Sequence, residues 1–298
     1  MSELAFIDWL RARTPAGERV LLGPGDDTAL VRTGSELLVT ADMLLEGSCF
    51  TLEGSPIQVP GVAPASAFRV GRKAMAVNLS DIAAMAGVPL FAVVSVGLPR
   101  RGGRALAEEL YRGMRDMADL FGVSIVGGDT NTWDGPLSIN VTLLGEPGAG
   151  GVVRRKGARV GDRLFVTGPL GGSLAGHHLD FVPRVREALA LAEAATLRAM
   201  IDLSDGLALD LSRLCAESGV GAVLRSVPCN PGCSLEQALG GGEDFELLFA
   251  AAPVDVPALR ATGVALHEVG EAVASGLWLE RDGQREPLPA LGYEHRME

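Results

Sequence analysis

The chain has 298 residues, 47% apolar and 21% charged, with a net charge of −11 at pH 7. That length carries about two domains at roughly 100–200 residues each, and the composition excludes a disordered chain. The negative balance argues against nucleic acid as a partner, because phosphate backbones need Lys and Arg, and no run of about 18 apolar residues offers a membrane span.

The opening stretch MSELAFIDWLRART carries acids early and no small-residue cleavage site, so the expected location is the cytoplasm. Residues 4–13 space their apolar side chains for a helix. The run LLVT predicts a strand over 36–42, and the apolar stretch over 65–86 predicts a long helix buried on most sides. LFAVVSVGL, β-branched and short, predicts a strand over 90–98. Leu106, Leu110, Met114, Met117 and Phe121 recur at three- and four-residue steps, which predicts an amphipathic helix over 103–121. Strands follow over 123–126 and 137–144. EPGAGG at 146–151 is the best candidate boundary and divides the chain into 1–148 and 149–298.

The second half repeats the mixture. A strand over 163–167 precedes the glycine turn at 168–172. Residues 183–200 read as a helix with Pro183 at its start. A second helix covers 207–217, with Gly219 as its C-cap. Strands are expected over 221–225, 246–251, 265–269 and 276–280. Strands and helices mixed in both halves predict an α/β or α+β fold and exclude a bundle or a sandwich.

The basic residues are 24 Arg and only two Lys, Lys73 and Lys156, so any lysine-dependent step has two candidates. Cys49, Cys215, Cys229 and Cys233 are too few for a disulfide framework. The C-x-x-x-C of Cys229 and Cys233 lacks the second pair or nearby His that zinc needs. His177, His178, His267 and His295 form no H-E-x-x-H, and there is no G-x-S-x-G elbow.

The informative feature is where carboxylates fall relative to glycine and element ends. Asp26 and Asp27 follow Gly25 before the strand-like ALV, and Asp42 ends LLVTAD. Asn78, Ser80 and Asp81 are embedded in an apolar helical stretch. Gly127, Gly128, Asp129 and Thr130 follow the strand SIV as a turn. Asp202, Ser204 and Asp205 sit in IDLSDG, and Gly241, Gly242, Glu243 and Asp244 precede ELLFAA. One Asp at a strand end is ordinary turn or cap chemistry. A carboxylate inside an apolar helix, such as Asp81, must find a partner or a metal.

Clustered carboxylates with small neighbours suit Mg²⁺, a hard cation that prefers oxygen, and several Mg²⁺ ions suit a polyphosphate in transfer. No G-x-x-x-x-G-K-[ST] occurs, nor the protein-kinase set of V-A-I-K, H-R-D and D-F-G. The scarcity of His fits an acceptor that is itself a phosphate, already anionic at pH 7 and in need of no general base.

These segments resemble the thiamine-monophosphate kinase family, within the superfamily of aminoimidazole ribonucleotide synthetase, selenophosphate synthetase and the hydrogenase maturation dehydratase. GPGDDTALV resembles the family's G-x-G-D-D-x-A and VTADMLLEGSCF its T-x-D-x-x-x-E-G-x-x-F. KAMAVNLSDIAAMAGVP is similar to K-A-L-A-V-N-L-S-D-x-A-A-M-G-A-x-P. VGGDT, RRKGARVGDRLFVTGPLG, MIDLSDGLALDL and GGEDFELLF match further family segments in order.

The resemblance implies a two-domain α/β (α+β) fold of the aminoimidazole ribonucleotide synthetase type. Residues 1–148 would bind ATP and Mg²⁺ and pair with a second subunit in a dimeric β-barrel, and 149–298 would form a C-terminal α/β domain. The implied activity is ATP- and Mg²⁺-dependent conversion of thiamine monophosphate to thiamine diphosphate by direct in-line transfer, in a cytoplasmic homodimer, with no residue assigned as acid or base. Asp27, Asp42, Asp81, Asp129, Asp202 and Asp205 match metal-binding aspartates, and Thr40 a metal-contacting hydroxyl. Gly128 with Asp129, Arg155 and Ser204 match ATP contacts, and Glu243 an acceptor-binding acid.

Departures concentrate on the acceptor positions. Cys49 stands where the family usually has His, and Ala290 where it usually has an aromatic residue before G-Y. HHLDFVPRV only loosely resembles H-x-x-P-x-P-R, and a Gly/Pro-rich stretch lies between Phe50 and Lys73. These departures predict weak acceptor binding unless Trp133 or residues 51–72 compensate. They also hold open the alternative of a related ATP-dependent kinase or synthetase with a different phosphorylated acceptor. The selenophosphate and hydrogenase branches use a terminal reactive cysteine, whereas this chain ends GYEHRME and has no Cys before position 49.

Overall fold

Alternating burial builds the first half of the molecule. The computed structural model describes residues 20–22, 26–32, 36–100 and 103–294, and the helix expected over 4–13 lies outside them. The strands of this half are β1 (Val20–Leu22), β2 (Ala29–Arg32), β3 (Glu36–Leu45), β4 (Thr51–Leu52), β5 (Pro64–Ala65), β6 (Gly87–Pro99), β7 (Ser124–Trp133) and β8 (Ser138–Pro147). Its helices are α1 (Ala67–Ala84) and α2 (Gly103–Phe121). Six strands form one sheet in the order β1-β2-β3-β8-β6-β7, while β4 and β5 pair separately. All neighbours in the sheet are antiparallel except β6 and β7, which run parallel with α2 as their crossover. Leu38, Leu44, Ala92, Leu98, Ile139 and Val141 point to the buried face, whereas Met43, Leu45, Phe91 and Val93 are exposed on the other.

α1 and α2 carry the apolar stripes that cover the buried face. Ser66 caps α1 by accepting from the Arg69 N–H, and nearly the whole helix is buried, as its all-round apolar sequence predicts. The two helices cross with backbone against backbone. A Cβ on Gly71 would lie 2.1 Å from the Leu110 carbonyl oxygen, and one on Gly113 would lie 1.9 Å from that of Phe68.

In the second half the strands are β9 (Arg163–Val166), β10 (Leu197–Asp202), β11 (Gly221–Leu224), β12 (Leu247–Ala251), β13 (His267–Val273), β14 (Leu277–Arg281) and β15 (Gln284–Pro287). They form one sheet in the order β10-β12-β9-β13-β11-β14-β15. The helices are α3 (His177–Asp180), α4 (Val185–Ala194), α5 (Leu207–Ser218), α6 (Leu235–Gly240) and α7 (Val256–Ala261). Gly219 ends α5 at φ 69°, the left-handed C-cap expected of it. α1 belongs to both halves, because it packs on β3, β6 and β8 and also on α3, α4 and β10. No helix among the described residues is long and apolar enough to cross a membrane.

Two expectations are corrected. The helix over 183–200 stops at Ala194, and Leu197–Asp202 is a strand. Its residues are good helix formers, but pairing with Leu247–Ala251 buries them in the sheet, and tertiary contacts override propensity. The supposed turn at 127–130 lies within β7, which pairs with β6 as far as Trp133. Gly128 permits this, since a Cβ there would sit 1.8 Å from the Val94 carbonyl oxygen.

The helix crossing generates a test. Gly113→Ala should destabilise the fold by about 3 kcal/mol through overpacking, read as a lower denaturant midpoint. An unchanged midpoint would show that the crossing has slack.

Candidate active site

α1 brings the buried polar groups to one wall. Asp81 accepts from Thr40 Oγ1 at 2.5 Å, and Ser80 Oγ donates to Asp202 Oδ2 at 2.6 Å. Asn78 Oδ1 accepts from the Asp42 N–H at 3.2 Å. About one turn of the helix, Asn78 to Asp81, thus fixes β3, through Thr40 and Asp42, and the end of β10, through Asp202. Carboxylate oxygens of Asp27, Asp81 and Asp202 all lie within 4.8 Å of one another.

Cations near this cluster are few. Arg155 binds Asp27 through Nη2 and through Nε at 3.2 Å, and its backbone N–H donates to Asp26. Asp205 is clamped by Arg213 Nη1 at 2.5 Å, which also reaches Asp210 at 2.7 Å. Burial, then the negative charges of Glu243, Asp27 and Asp205, push Asp42 from 3.8 to about 6 against the opposing charge of Lys73. Burial, then Asp42 and Asp202, drives Asp81 well above the usual carboxylate range, and burial with Asp27 does the same to Asp202. Burial and Asp27 raise Asp26 to about 6.

Asp42, Asp81, Asp202, Ser204 and Asp205 line a cavity of about 450 Å³. Cys49, Val59, Pro60, Glu243 and Tyr293 line the same cavity. Val59 and Pro60 come from the Gly/Pro-rich stretch, which therefore contributes to the wall. Lys73, buried in α1, contacts Glu243 and lies 3.0 Å from His178 Nδ1.

Most of the residues singled out in the sequence converge here, but not all. Gly128 and Asp129 are exposed on β7 and line a second cavity of about 470 Å³ with Tyr111. Asp42 faces Val141, Val141 faces Val94, and Val94 faces Gly128. Three inter-strand steps, roughly 14 Å, therefore separate Asp42 from that pair. Ala290 is exposed and does not line the first cavity. Tyr293, the Tyr of G-Y, does line it, and its N–H donates to the Asp205 carbonyl and turns the segment back to the wall. Trp133 bonds its own turn through Pro136 and does not line the cavity.

Sequence reasoning also passed over Lys73 and His178. A lysine inside KAMAV carries the signal, since a charge at a buried helical position must be paired. His178 carries only the loose match of HHLDFVPRV to H-x-x-P-x-P-R, because its partners are 105 and 65 residues away.

The mixed sheet beneath two helices, with carboxylates gathered along one wall, lies in a stretch of the AIR synthase related class. Residues 25–146 match the family model described as AIR synthase related protein, N-terminal domain. The thiamine-monophosphate kinase of Rhodopirellula baltica is 38% identical, covering 93% of this chain and 91% of that protein. The Bacillus subtilis thiamine-monophosphate kinase is 31% identical over 99% of both chains. The solved complex of AaThiL with AMPPCP and TMP superposes with a TM-score of 0.82 at 27% identity, covering 99% of this chain and 97% of that one. The chain belongs to the thiamine-monophosphate kinase family.

The raised carboxyls fix the sign of a pH effect. Each binds a proton more tightly folded than unfolded, so its contribution to stability falls as pH rises from the ordinary carboxylate value through its raised one, about 6 for Asp26 and Asp42. In cation-free buffer Asp81→Asn should therefore gain stability over the wild type as pH rises, by up to about 1.4 kcal/mol per pH unit. Parallel melting curves at pH 5 and 7.5 would contradict this.

Proposed function

We propose that this protein transfers the γ-phosphoryl group of ATP to thiamine monophosphate, giving thiamine diphosphate and ADP by direct in-line displacement. The observation that carries the reading is a single cavity that joins a buried acidic cluster to a mixed apolar and acidic wall. The cluster suits a polyphosphate with its cations. The wall of Val59, Pro60, Tyr293 and Glu243 suits a flat, cationic organic acceptor. Relatives named thiamine-monophosphate kinase and a similar AaThiL structure holding AMPPCP and TMP support the same assignment. Tyr293, Val59 and Pro60 form the acceptor wall, and Ala290 does not line it.

The acceptor's phosphate oxygen attacks the γ-phosphorus while the bond to the ADP oxygen breaks. The attacking group is already anionic, so no side chain need take a proton. Glu243 and Cys49 flank the acceptor, and Ser204 contacts the nucleotide. Arg155, now paired with Asp27, meets the phosphates, and Gly128 and Asp129 contribute to nucleotide binding from the second cavity.

The donor set fits Mg²⁺. Asp27, Asp81 and Asp202 offer only hard oxygens within 4.8 Å, and the raised proton affinity of Asp81 and Asp202 marks a deficit of positive charge. We assign Thr40, Asp42 and Asp205 to the same cation site, and Asp129, on the second cavity three strands away, to a cation that accompanies the nucleotide there. Bound Mg²⁺ supplies charge neutralisation for phosphoryl transfer.

We further read the two sheets as two domains, 1–148 and 149–298, in a cytoplasmic enzyme. The exposed face bearing Met43, Leu45, Phe91 and Val93 is the contact to a second copy, across which the strands close into a barrel. Sedimentation at micromolar concentration should give a dimer rather than the 31.0 kDa chain, and a monomer would overturn this contact.

The activity is tested by ADP release from ATP. Release should require both thiamine monophosphate and a divalent cation. Asp81→Asn and Asp129→Asn should each lower kcat by about 10²–10³-fold with the fold retained. Full turnover in EDTA, or a wild-type rate in both variants, would refute the assignment.

A further inference from the structure

Lys73 is one of two lysines in the chain and its side chain is 1% exposed. Its ammonium has three donors and no acceptor, and it meets three groups. These are the Cys49 carbonyl at 2.7 Å, His178 Nδ1 at 3.0 Å and Glu243 Oε2. His178 is fully buried, and its Nδ1 also lies 3.0 Å from Glu243 Oε2. One cation therefore ties α1 to the turn after β3, to α3 and to the glycine-rich turn before β12.

That last turn is strained. Of four non-glycine residues with positive φ among the described residues, two lie here, Glu243 at 58° and Phe245 at 50°. Such backbone persists only where the surroundings over-determine it, and it gathers at functional sites. The Glu243 N–H donates to the Ser204 carbonyl at 2.7 Å, and Ser173 Oγ donates to the Glu243 carbonyl at 2.5 Å. Both side-chain contacts of Glu243 use Oε2, so Oε1 has no hydrogen bond among the described residues, in a residue that lines the cavity.

We propose that Lys73, with His178, is a positioning and specificity-determining residue for the acceptor. It anchors one oxygen of Glu243 and so fixes the carboxylate's orientation, leaving the other oxygen for an amino group or cationic ring of the acceptor. The same ammonium fixes the Cys49 turn opposite and sets the width of the acceptor wall. Burial alone would raise the Glu243 carboxyl, but the Lys73 charge and the polar contacts with His178 and Lys73 outweigh it and hold the carboxyl below its usual value. This inference rests on thiamine monophosphate being the acceptor.

The test compares the wild type, Lys73→Met, Glu243→Gln and the double variant as full-length enzymes, with ATP and thiamine monophosphate varied separately. Wild-type turnover of thiamine monophosphate tests the reading of function on its own, and its absence would overturn that reading and this inference together. Given turnover, Lys73→Met should raise KM for thiamine monophosphate about 30-fold, as expected for losing charge-assisted contacts. KM for ATP should stay within about twofold. In the Glu243→Gln background the same substitution should add less than about threefold, because the two act as one unit. The double variant also removes the uncompensated buried carboxylate that could unfold Lys73→Met alone. An equal loss for both substrates, or an undiminished Lys73→Met effect beside Glu243→Gln, would reduce Lys73 to a structural tie and overturn the proposal.

Discussion

Buried carboxylates with too little positive charge around them are the constraint on which this molecule is built. Asp27, Asp81 and Asp202 converge within 4.8 Å, Asp42 lines the same cavity, and Arg155 pairs with Asp27. Charges taken out of water are costly unless paired. The structure leaves them partly unpaired, and the response is visible as carboxyls that hold their protons above the usual range. A fold that served stability alone would replace them with apolar groups. Their retention leaves a cleft with a deficit of positive charge, a setting that suits cations.

α1 makes the constraint tolerable. It carries Lys73, Asn78, Ser80 and Asp81 through the middle of the protein, and each meets a partner outside the helix. Its close crossing with α2, where Gly71 and Gly113 let backbones touch, fixes its position against the first sheet. Its contacts with β10, α3 and α4 fix the second half to the first. Packing and chemistry therefore share one rigid helix, and the site is positioned to the accuracy of a core rather than of a loop.

Much of this was legible in the sequence. α2 is found over 103–121 because an exposed helix must show its period, and α1 because an all-round apolar run must be buried. Asp81 announced itself by being a charge where charges are expensive. What was not legible depended on pairing across the chain. β10 reads locally as helix and becomes strand only beside β12. The 127–130 segment reads as a turn and is strand because β6 continues beside it. Matching by position put an aromatic deficit at Ala290, whereas the folded chain brings Tyr293 to the cavity. His178 became a site residue through contacts that no local pattern encodes.

The central claim is that the acceptor phosphate attacks ATP directly, with no side chain acting as nucleophile or base. The direct measurement is the stereochemical course of transfer from ATP made chiral at the γ-phosphorus with oxygen isotopes to thiamine monophosphate. A single in-line displacement inverts that centre, and inversion in the thiamine diphosphate formed is the expected result. Retention would require a phosphorylated enzyme intermediate and would contradict the account.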